Sequence, residues 1–301
     1  MRNHLRKTTG CDGLLLGSQL SFSPAVVQAE FDAVCDNAYW DHPAYLYGAL
    51  FDGAGNIANR PMTGDPAGST LRKLAVRRVA GKPFVVTEYG HPSPNGYGAE
   101  GAMLAAIYGG FQDWDALLRC AYAAGQTYGN GPFTQFPFSR HPAKMATLPQ
   151  AALMFRRGDV PAGKITRKSF RPLSAATAFA RLEAGQVATG ADALGANRLT
   201  ALRQQTGVAL TDDPQSVKLR PSNSAVPTKT RNVARFAAQP VPATGPGSPA
   251  ADDGNGKTAR LAWTTRCPMM SNCGVKVFCG RSRRFPCVLG LGGSAGNQWQ
   301  Q

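Results

Sequence analysis

The chain has 301 residues, enough for one large or two ordinary domains with a sizeable core. Hydrophobic residues make up 43% of it, but no apolar run is long enough to cross a bilayer. The net charge of +15 lies almost wholly in residues 151–301, which carry 21 Lys and Arg against 7 Asp and Glu. This half predicts either an anion-binding surface or a basic sequence without a selected partner. Because no recognised nucleic-acid motif accompanies it, we do not expect nucleic acid as the partner.

The first half of the chain alternates short apolar runs with segments of helical spacing. Helical spacing marks SPAVVQAEF, STLRKLAVRRVAG and AEGAMLAAIYGGFQDW. This alternation predicts βα units and a parallel sheet whose strands follow chain order. The predicted buried strands are 14–19, 33–39, 84–90 and 116–122.

The pattern changes after about residue 150. A helix in AALMFRRGDVPAG is expected to end at Gly158. Residues 174–206 are rich in Ala, and LTALRQQTGV at 199–208 is helical in spacing. KTARLAW at 257–263 is a candidate strand, and the tail after it has four cysteines without zinc-site spacing or any usable period. We expect a barrel-type unit in 1–165, a helical extension in 166–220, a linker with a possible β-sandwich remnant in 221–263 and an irregular tail in 264–301.

The heptapeptide FVVTEYG, residues 84–90, ends a predicted buried strand on a carboxylate. Apolar residues on both faces are typical of a strand in a parallel sheet, and barrel enzymes place their chemistry at the carboxyl ends of such strands. Glu88 is therefore a candidate catalytic residue. Taken alone, it is also compatible with a strand-end Glu that meets solvent or pairs with an Arg.

Three segments together resemble a known family. They are DAVCDNAYWDHP, PFVVTEYGHPSPNGYGAEGAMLAAIYGGFQDWDALLRCAY and FPFSRHPAKMATLPQAALMFRRGDVPAG. They resemble the second half of a clan A retaining glycoside hydrolase with a (β/α)8 barrel, of the cellulase- or β-galactosidase-like bacterial type. The resemblance implies an α/β fold made of strands five to eight of a TIM barrel, followed by a small β-rich or irregular region. It implies a secreted or periplasmic parent protein, although this chain shows no signal peptide.

The resemblance also implies site residues. Glu88 matches the nucleophile, and the pocket would be lined by Tyr39, Trp40, His42, Asn95 and Tyr97. It implies a β-linked oligosaccharide as substrate, with no cofactor and no metal. Trp40 and Tyr39 are alternatively plain core aromatics, and Glu100 is better explained as a carboxylate at a helix start.

The chain departs from this family in several places. Asn37 stands where a histidine is usual, Arg119 lies in a strand that normally carries aromatics, and the pattern stops after about residue 263. The last departure indicates either a genuine tail domain or a shifted reading frame. The expected acid/base, a Glu after an Asn, is not among the chain's four glutamates. We therefore expect that this chain is an N-terminally truncated form of its parent protein and shows little or no turnover. We also expect possible self-association through uncovered sheet edges. The alternatives are a non-catalytic carbohydrate-binding remnant or a basic anion-binding or nucleic-acid-binding protein.

Overall fold

The computed structural model describes residues 2–19, 23–45, 55–65, 68–123, 136–166, 169–213 and the strand 277–280. The chain divides into two units, one formed by Met1–Ala225 with Asn272–Gln301 and the other by Val226–Ser271. All of the described residues belong to the first unit. The predicted linker and strand in 221–263, and most of the tail, lie outside the described residues.

The main sheet has four strands in the order β1–β4–β5–β8. The pairs β1/β4 and β4/β5 are parallel, so parallel pairing in chain order is confirmed for the predicted strands 33–39, 84–90 and 116–122. The eight described strands are β1 (Val34–Tyr39), β2 (Ala44–Tyr45), β3 (Gly55–Asn56), β4 (Phe84–Gly90), β5 (Ala116–Arg119), β6 (Phe170–Leu173), β7 (Gly207–Leu210) and β8 (Val277–Gly280).

The strand β8 corrects the expectation that 264–301 is irregular throughout. It pairs antiparallel with β5, with Ala116 opposite Gly280 and Arg119 opposite Val277. The sheet is therefore small, open and mixed. Backbone pairing needs no amphipathic period, which is why the sequence pattern gave no sign of this strand.

The predicted strand at 14–19 is reduced to a single parallel bridge between Leu16 and Ala33. Two backbone bonds, from the Gly17 amide to the Ala33 carbonyl and from the Asp32 amide to the Leu15 carbonyl, accompany the bridge, and further backbone groups bond to side chains. The amide of Leu15 donates to Asp32 Oδ2 at 2.9 Å, and the Cys35 thiol donates to the carbonyl of Gly17 at 3.0 Å. Side chains that offer the backbone such alternatives compete with regular pairing.

Six α-helices flank the described strands. They are α1 (Arg2–Lys7), α2 (Ala25–Ala29), α3 (Thr70–Ala75), α4 (Glu100–Phe111), α5 (Pro142–Arg157) and α6 (Ala175–Glu183). The side chain of Ser69 caps α3 by accepting from the Arg72 amide. The predicted end of α5 is confirmed, because Gly158 is its C-cap with φ of +72°. None of the helices in the described ranges is long and apolar enough to cross a membrane.

The main core lies between the sheet and the helices α3, α4 and α5. Phe84, Val86 and Leu117 face this core from the strands, where they meet Trp114 and Phe155. The opposite face of the sheet carries smaller side chains, namely Ala33, Cys35, Val85 and Ala116. Apolar residues on both faces explain why the strand runs of the sequence are continuously apolar.

A second parallel pair, β6 and β7, was not predicted. Much of the Ala-rich stretch 174–206 is occupied by α6 and by two 3-10 turns at Ala191–Leu194 and Arg198–Leu202. The helical interpretation of LTALRQQTGV is wrong at its end, where β7 begins at Gly207. Val208 also bridges Val79 in parallel, and Val79 lies in the second half of STLRKLAVRRVAG, where α3 has already ended at Ala75.

Candidate active site

The carboxyl ends of three parallel strands meet at one edge of the main sheet. Tyr39 closes β1, Glu88 lies near the end of β4, and Cys120 follows β5. The Tyr39 hydroxyl donates to Glu88 Oε2 at 2.7 Å. The expected meeting of Tyr39 and Glu88 is therefore seen, although they are 49 residues apart in sequence. Their roles in binding or catalysis stay predictions.

The hydroxyl of Tyr39 is a neutral donor held against a carboxylate. Burial is the main cause that raises its pKa, and the Cys120 thiol and Glu88 raise it further. Tyr39 therefore keeps its proton at neutral pH. The 2.7 Å hydrogen bond from this hydroxyl fixes the orientation of the Glu88 carboxyl group. Glu88 itself is 8% exposed.

An aromatic wall stands beside the carboxylate. The Tyr39 ring meets Phe136 edge-on, with centroids 4.9 Å apart, and meets His42 at 5.7 Å. His42 and Phe136 are themselves 5.7 Å apart, and the His42 ring is exposed. Aromatic faces beside polar donors suit the flat and hydroxyl-rich surfaces of sugars. Phe136 was missed in the sequence, where it is one of three Phe residues in PFTQFPF and no pattern distinguishes it from the other two.

Two other predicted pocket residues are buried in the loop framework. Trp40 is 3% exposed, and its indole N–H donates to the Arg60 carbonyl at 2.8 Å. Asn95 is 0% exposed, donates to Asp41 Oδ2 at 2.9 Å and accepts from the Tyr97 amide at 2.7 Å. Both residues shape the loops after β1 and β4, and they leave little surface for a ligand. The Tyr97 side chain is 44% exposed.

A cluster of buried basic side chains lies behind Glu88, on the helix side of the sheet. His91 is 2% exposed with Nε2 3.2 Å from the Tyr89 hydroxyl. Burial and then the charges of Arg119 and Lys144 lower the pKa of His91 to about 3. The Lys144 ammonium donates to the His91 carbonyl and to Ser93 Oγ, and burial and then Arg119 lower its pKa to about 8.

The partner that Arg119 requires is aromatic. Its guanidinium carbon lies 5.2 Å from the Tyr89 ring centroid and 5.7 Å from that of Phe138. Because it pairs with Tyr89 across β4 and β5, Arg119 follows that residue to the helix side of the sheet.

Two further positions complete the site. The Asn37 side chain, where the resemblance would expect a histidine, accepts from Thr87 Oγ1 at 2.6 Å. Within the described ranges no group of three His, Cys, Asp or Glu side chains is placed to hold a metal ion. The arrangement offers one oriented carboxylate, a phenol donor and an aromatic wall, and these can act as a nucleophile with a binding surface.

Comparison of the chain with protein-family models, with curated proteins and with solved structures finds no match. The structure by itself defines an α/β arrangement of helices and parallel strands, with a Tyr–Glu pair at the carboxyl edge of its sheet.

Proposed function

We propose that Glu88 is the nucleophile of a retaining glycoside hydrolase site that acts on β-linked oligosaccharides. The observation that supports this most is the 2.7 Å bond from the Tyr39 hydroxyl to Glu88 Oε2 at the carboxyl ends of parallel strands. A retaining enzyme needs one carboxylate held in a fixed orientation beneath the sugar, because that group must attack a single carbon atom.

In this proposal one oxygen of Glu88 bonds to the anomeric carbon while the bond from that carbon to the leaving oxygen breaks. The electron pair goes to the leaving oxygen, which needs a proton, and water later cleaves the glycosyl ester. Tyr39 holds the carboxylate through the oxygen that its hydroxyl contacts. The rings of Tyr39, His42 and Phe136 provide the surface against which the sugar packs.

We further propose that the fold is the second half of a (β/α)8 barrel. The segment at 14–19, β1, β4 and β5 correspond in it to strands five to eight of a (β/α)8 barrel. The parallel pairing of β1, β4 and β5 in chain order supports this correspondence.

Weak turnover is part of the proposal. Glu100, the nearest other glutamate in sequence, accepts from the Met62 amide and from Thr63 Oγ1, and it begins α4. No glutamate of the chain follows an Asn. Without an acid to protonate the leaving oxygen, hydrolysis of an ordinary glycoside is expected to lose roughly 10² to 10⁴-fold in rate.

The proposal is tested with a fluorinated dinitrophenyl glycoside, whose leaving group needs no proton and whose fluorine slows release of the ester. The purified chain is expected to gain one sugar, which peptide mass spectrometry should locate on Glu88. The Glu88→Gln variant should gain none, and the matched control Glu100→Gln should label as the parent does. A folded chain that stays unlabelled, or that labels elsewhere, would contradict the nucleophile assignment. If the chain hydrolysed an unactivated glycoside fast and Glu88→Gln abolished this activity, the inference that the chain lacks a general acid would be contradicted.

A second candidate function is sugar binding without catalysis. The exposed rings of His42 and Tyr97 favour it, because they are available to a ligand whether or not Glu88 reacts. Calorimetry with β-linked oligosaccharides should then give heat that survives Glu88→Gln and is lost in Tyr97→Ala. A folded sample that gives no heat would remove this candidate.

A further inference from the structure

Gly90 lies where the carboxyl ends of β1, β4 and β5 meet. It is the last residue of β4, it is buried, and it pairs with Tyr39 of β1. Its carbonyl accepts from the Trp40 amide at 3.0 Å, and on the other side the Cys120 amide donates to the carbonyl of Tyr89 at 3.1 Å. The end of β4 is therefore bonded to the chain on both sides, which leaves its backbone little freedom to shift.

Close packing, and not backbone conformation, calls for a glycine at this position. The φ angle of Gly90 lies outside the left-handed region that favours glycine. A Cβ added to Gly90 would lie 3.0 Å from the carbonyl oxygen of Cys120 and 3.1 Å from both Cδ1 and Cε1 of Tyr39. Carbon atoms in ordinary contact are roughly 3.5 to 4.0 Å apart, so the space has no room for a side chain. A glycine inside a strand often marks such a close approach.

This contact determines where the Tyr39 ring lies. One edge of the ring rests on Gly90, while Phe136 and His42 contact the ring at centroid distances of 4.9 and 5.7 Å. A methyl group on Gly90 would force a neighbour to move by a few tenths of an ångström. The ring moves more readily than the carbonyl of Cys120, because that carbonyl belongs to backbone that is bonded to β4.

The ring carries the hydroxyl that donates to Glu88 Oε2 at 2.7 Å. A shift of the ring away from Gly90 would lengthen or misalign this bond, and hydrogen bonds weaken as their length and angle depart from the optimum. The orientation of the Glu88 carboxyl group therefore depends on a residue that has no side chain of its own.

We propose that Gly90 is a positioning residue of the candidate active site. Its missing side chain lets the Tyr39 ring lie against β4, so that the hydroxyl reaches Glu88 and holds the carboxyl group that attacks the sugar. The role of Glu88 as nucleophile rests on the proposed function, whereas the dependence of the Tyr39–Glu88 bond on Gly90 does not.

The bond can be followed without any sugar. The chain has four glutamates, so a chain labelled with ¹³C at the Glu carboxyl carbons gives few signals, and Glu88→Gln identifies the signal of Glu88. Gly90→Ala should move this signal in the same direction as Tyr39→Phe does, because both changes weaken the same bond. Gly90→Ala added to Tyr39→Phe should move it little further. An unmoved Glu88 signal in folded Gly90→Ala, or additive shifts in the double variant, would overturn the proposal.

The reactivity of Glu88 gives a second measurement. With the fluorinated dinitrophenyl glycoside, Gly90→Ala should lower the maximal rate of labelling roughly 3- to 10-fold, which corresponds to the net contribution of one hydrogen bond. The glycoside concentration at half-maximal rate should stay unchanged. Gly109→Ala is the matched control, since its Cβ would meet Phe155 and Trp114 in the core, far along the chain from the site. It should label at the parent's rate, and equal slowing in both variants would show a loss of stability instead of positioning.

An NMR measurement on the unaltered chain covers the case in which Gly90→Ala does not fold. The Hα protons of Gly90 should show nuclear Overhauser contacts to the Tyr39 ring and a ring-current shift that is lost in Tyr39→Leu. A folded chain without these contacts would refute the placement of the ring on Gly90. A parent chain that never labels would refute Glu88 as the nucleophile but would leave the carboxyl signal and the Gly90 contacts unchanged, so the two failures are distinguishable.

Discussion

Acidification should destabilise the fold through His91 more than through any exposed histidine. The imidazole is buried and packed against α4, where a Cβ placed on Gly101 would lie 2.6 Å from its Cδ2. Its pKa is lowered to about 3, from a usual value of 6.5. Between pH 6.5 and about pH 3, His91 is protonated in the unfolded chain and neutral in the folded chain. The free energy of unfolding therefore falls as the pH falls through this range.

The size of the effect follows from the difference between the two pKa values. Each pKa unit is worth about 1.4 kcal/mol, so His91 should remove roughly 2 to 3 kcal/mol of stability between about pH 7 and pH 4.5. Other groups titrate in the same interval. The quantity to measure is therefore the difference between the parent chain and His91→Gln, which keeps a polar side chain but cannot gain a proton.

Urea unfolding at a series of pH values gives this difference directly. His91→Gln should cost stability at pH 7, and its disadvantage should shrink by the amount above as the pH falls. His4→Gln, which removes an exposed imidazole of α1, is the control. A disadvantage of His91→Gln that stays constant across the range would refute the reasoning, since it would show that His91 gains its proton as easily in the folded chain.

Three further changes follow from the same structure, each measured by urea unfolding. Between about pH 7 and pH 10, the free energy of unfolding of the parent chain should rise by roughly 2 to 3 kcal/mol relative to Lys144→Met. The reason is that the buried Lys144 ammonium, with a pKa of about 8, loses its proton in the folded chain before it does so in the unfolded chain. A stability difference between the two proteins that does not change with pH would contradict this. Gly109→Ala should cost roughly 1 to 3 kcal/mol, since its Cβ would lie 2.9 Å from the Phe155 ring and 3.1 Å from Trp114; a gain, as expected from helix propensity alone, would contradict the close packing of α4 and α5. Gly158→Ala should cost roughly 1 to 2 kcal/mol because the residue has φ of +72°, and an unchanged stability would contradict the left-handed C-cap of α5.

The sequence predicted what depends on local chemistry. Continuous apolar runs located β1, β4 and β5, and their alternation with helices predicted parallel pairing in chain order. Gly158 marked the end of α5 because few other residues adopt its backbone conformation at little cost. The contact between Tyr39 and Glu88 followed from one rule, that consecutive parallel strands end at the same edge.

What the sequence did not predict depends on partners distant in the chain. β6 and β7 are short strands that pair across some 35 residues of chain, and Val208 of β7 also forms a parallel bridge with Val79. The burial of Trp40 and Asn95 depends on Arg60 and Asp41, which offer bonds that no spacing rule reveals. The placement of Arg119 was likewise set by its register with Tyr89.

The antiparallel pairing of β8 makes the two edges of the main sheet unequal. The backbone groups of β5 that face away from β4 are matched with those of β8 along all four of its residues, Ala116–Arg119. On the opposite side, the described strands leave β1 without a second neighbouring strand. Its beginning is covered by the bridge between Leu16 and Ala33 and by the Gln28 side chain, which bonds the backbone N–H and carbonyl of Cys35. Among the described residues, a strand from another molecule that joins beside β1 has to displace one side chain and a single bridge, whereas one that joins at β5 has to displace the paired strand β8. Growth of the sheet is in this sense directional, and it would proceed from the strand that carries Tyr39.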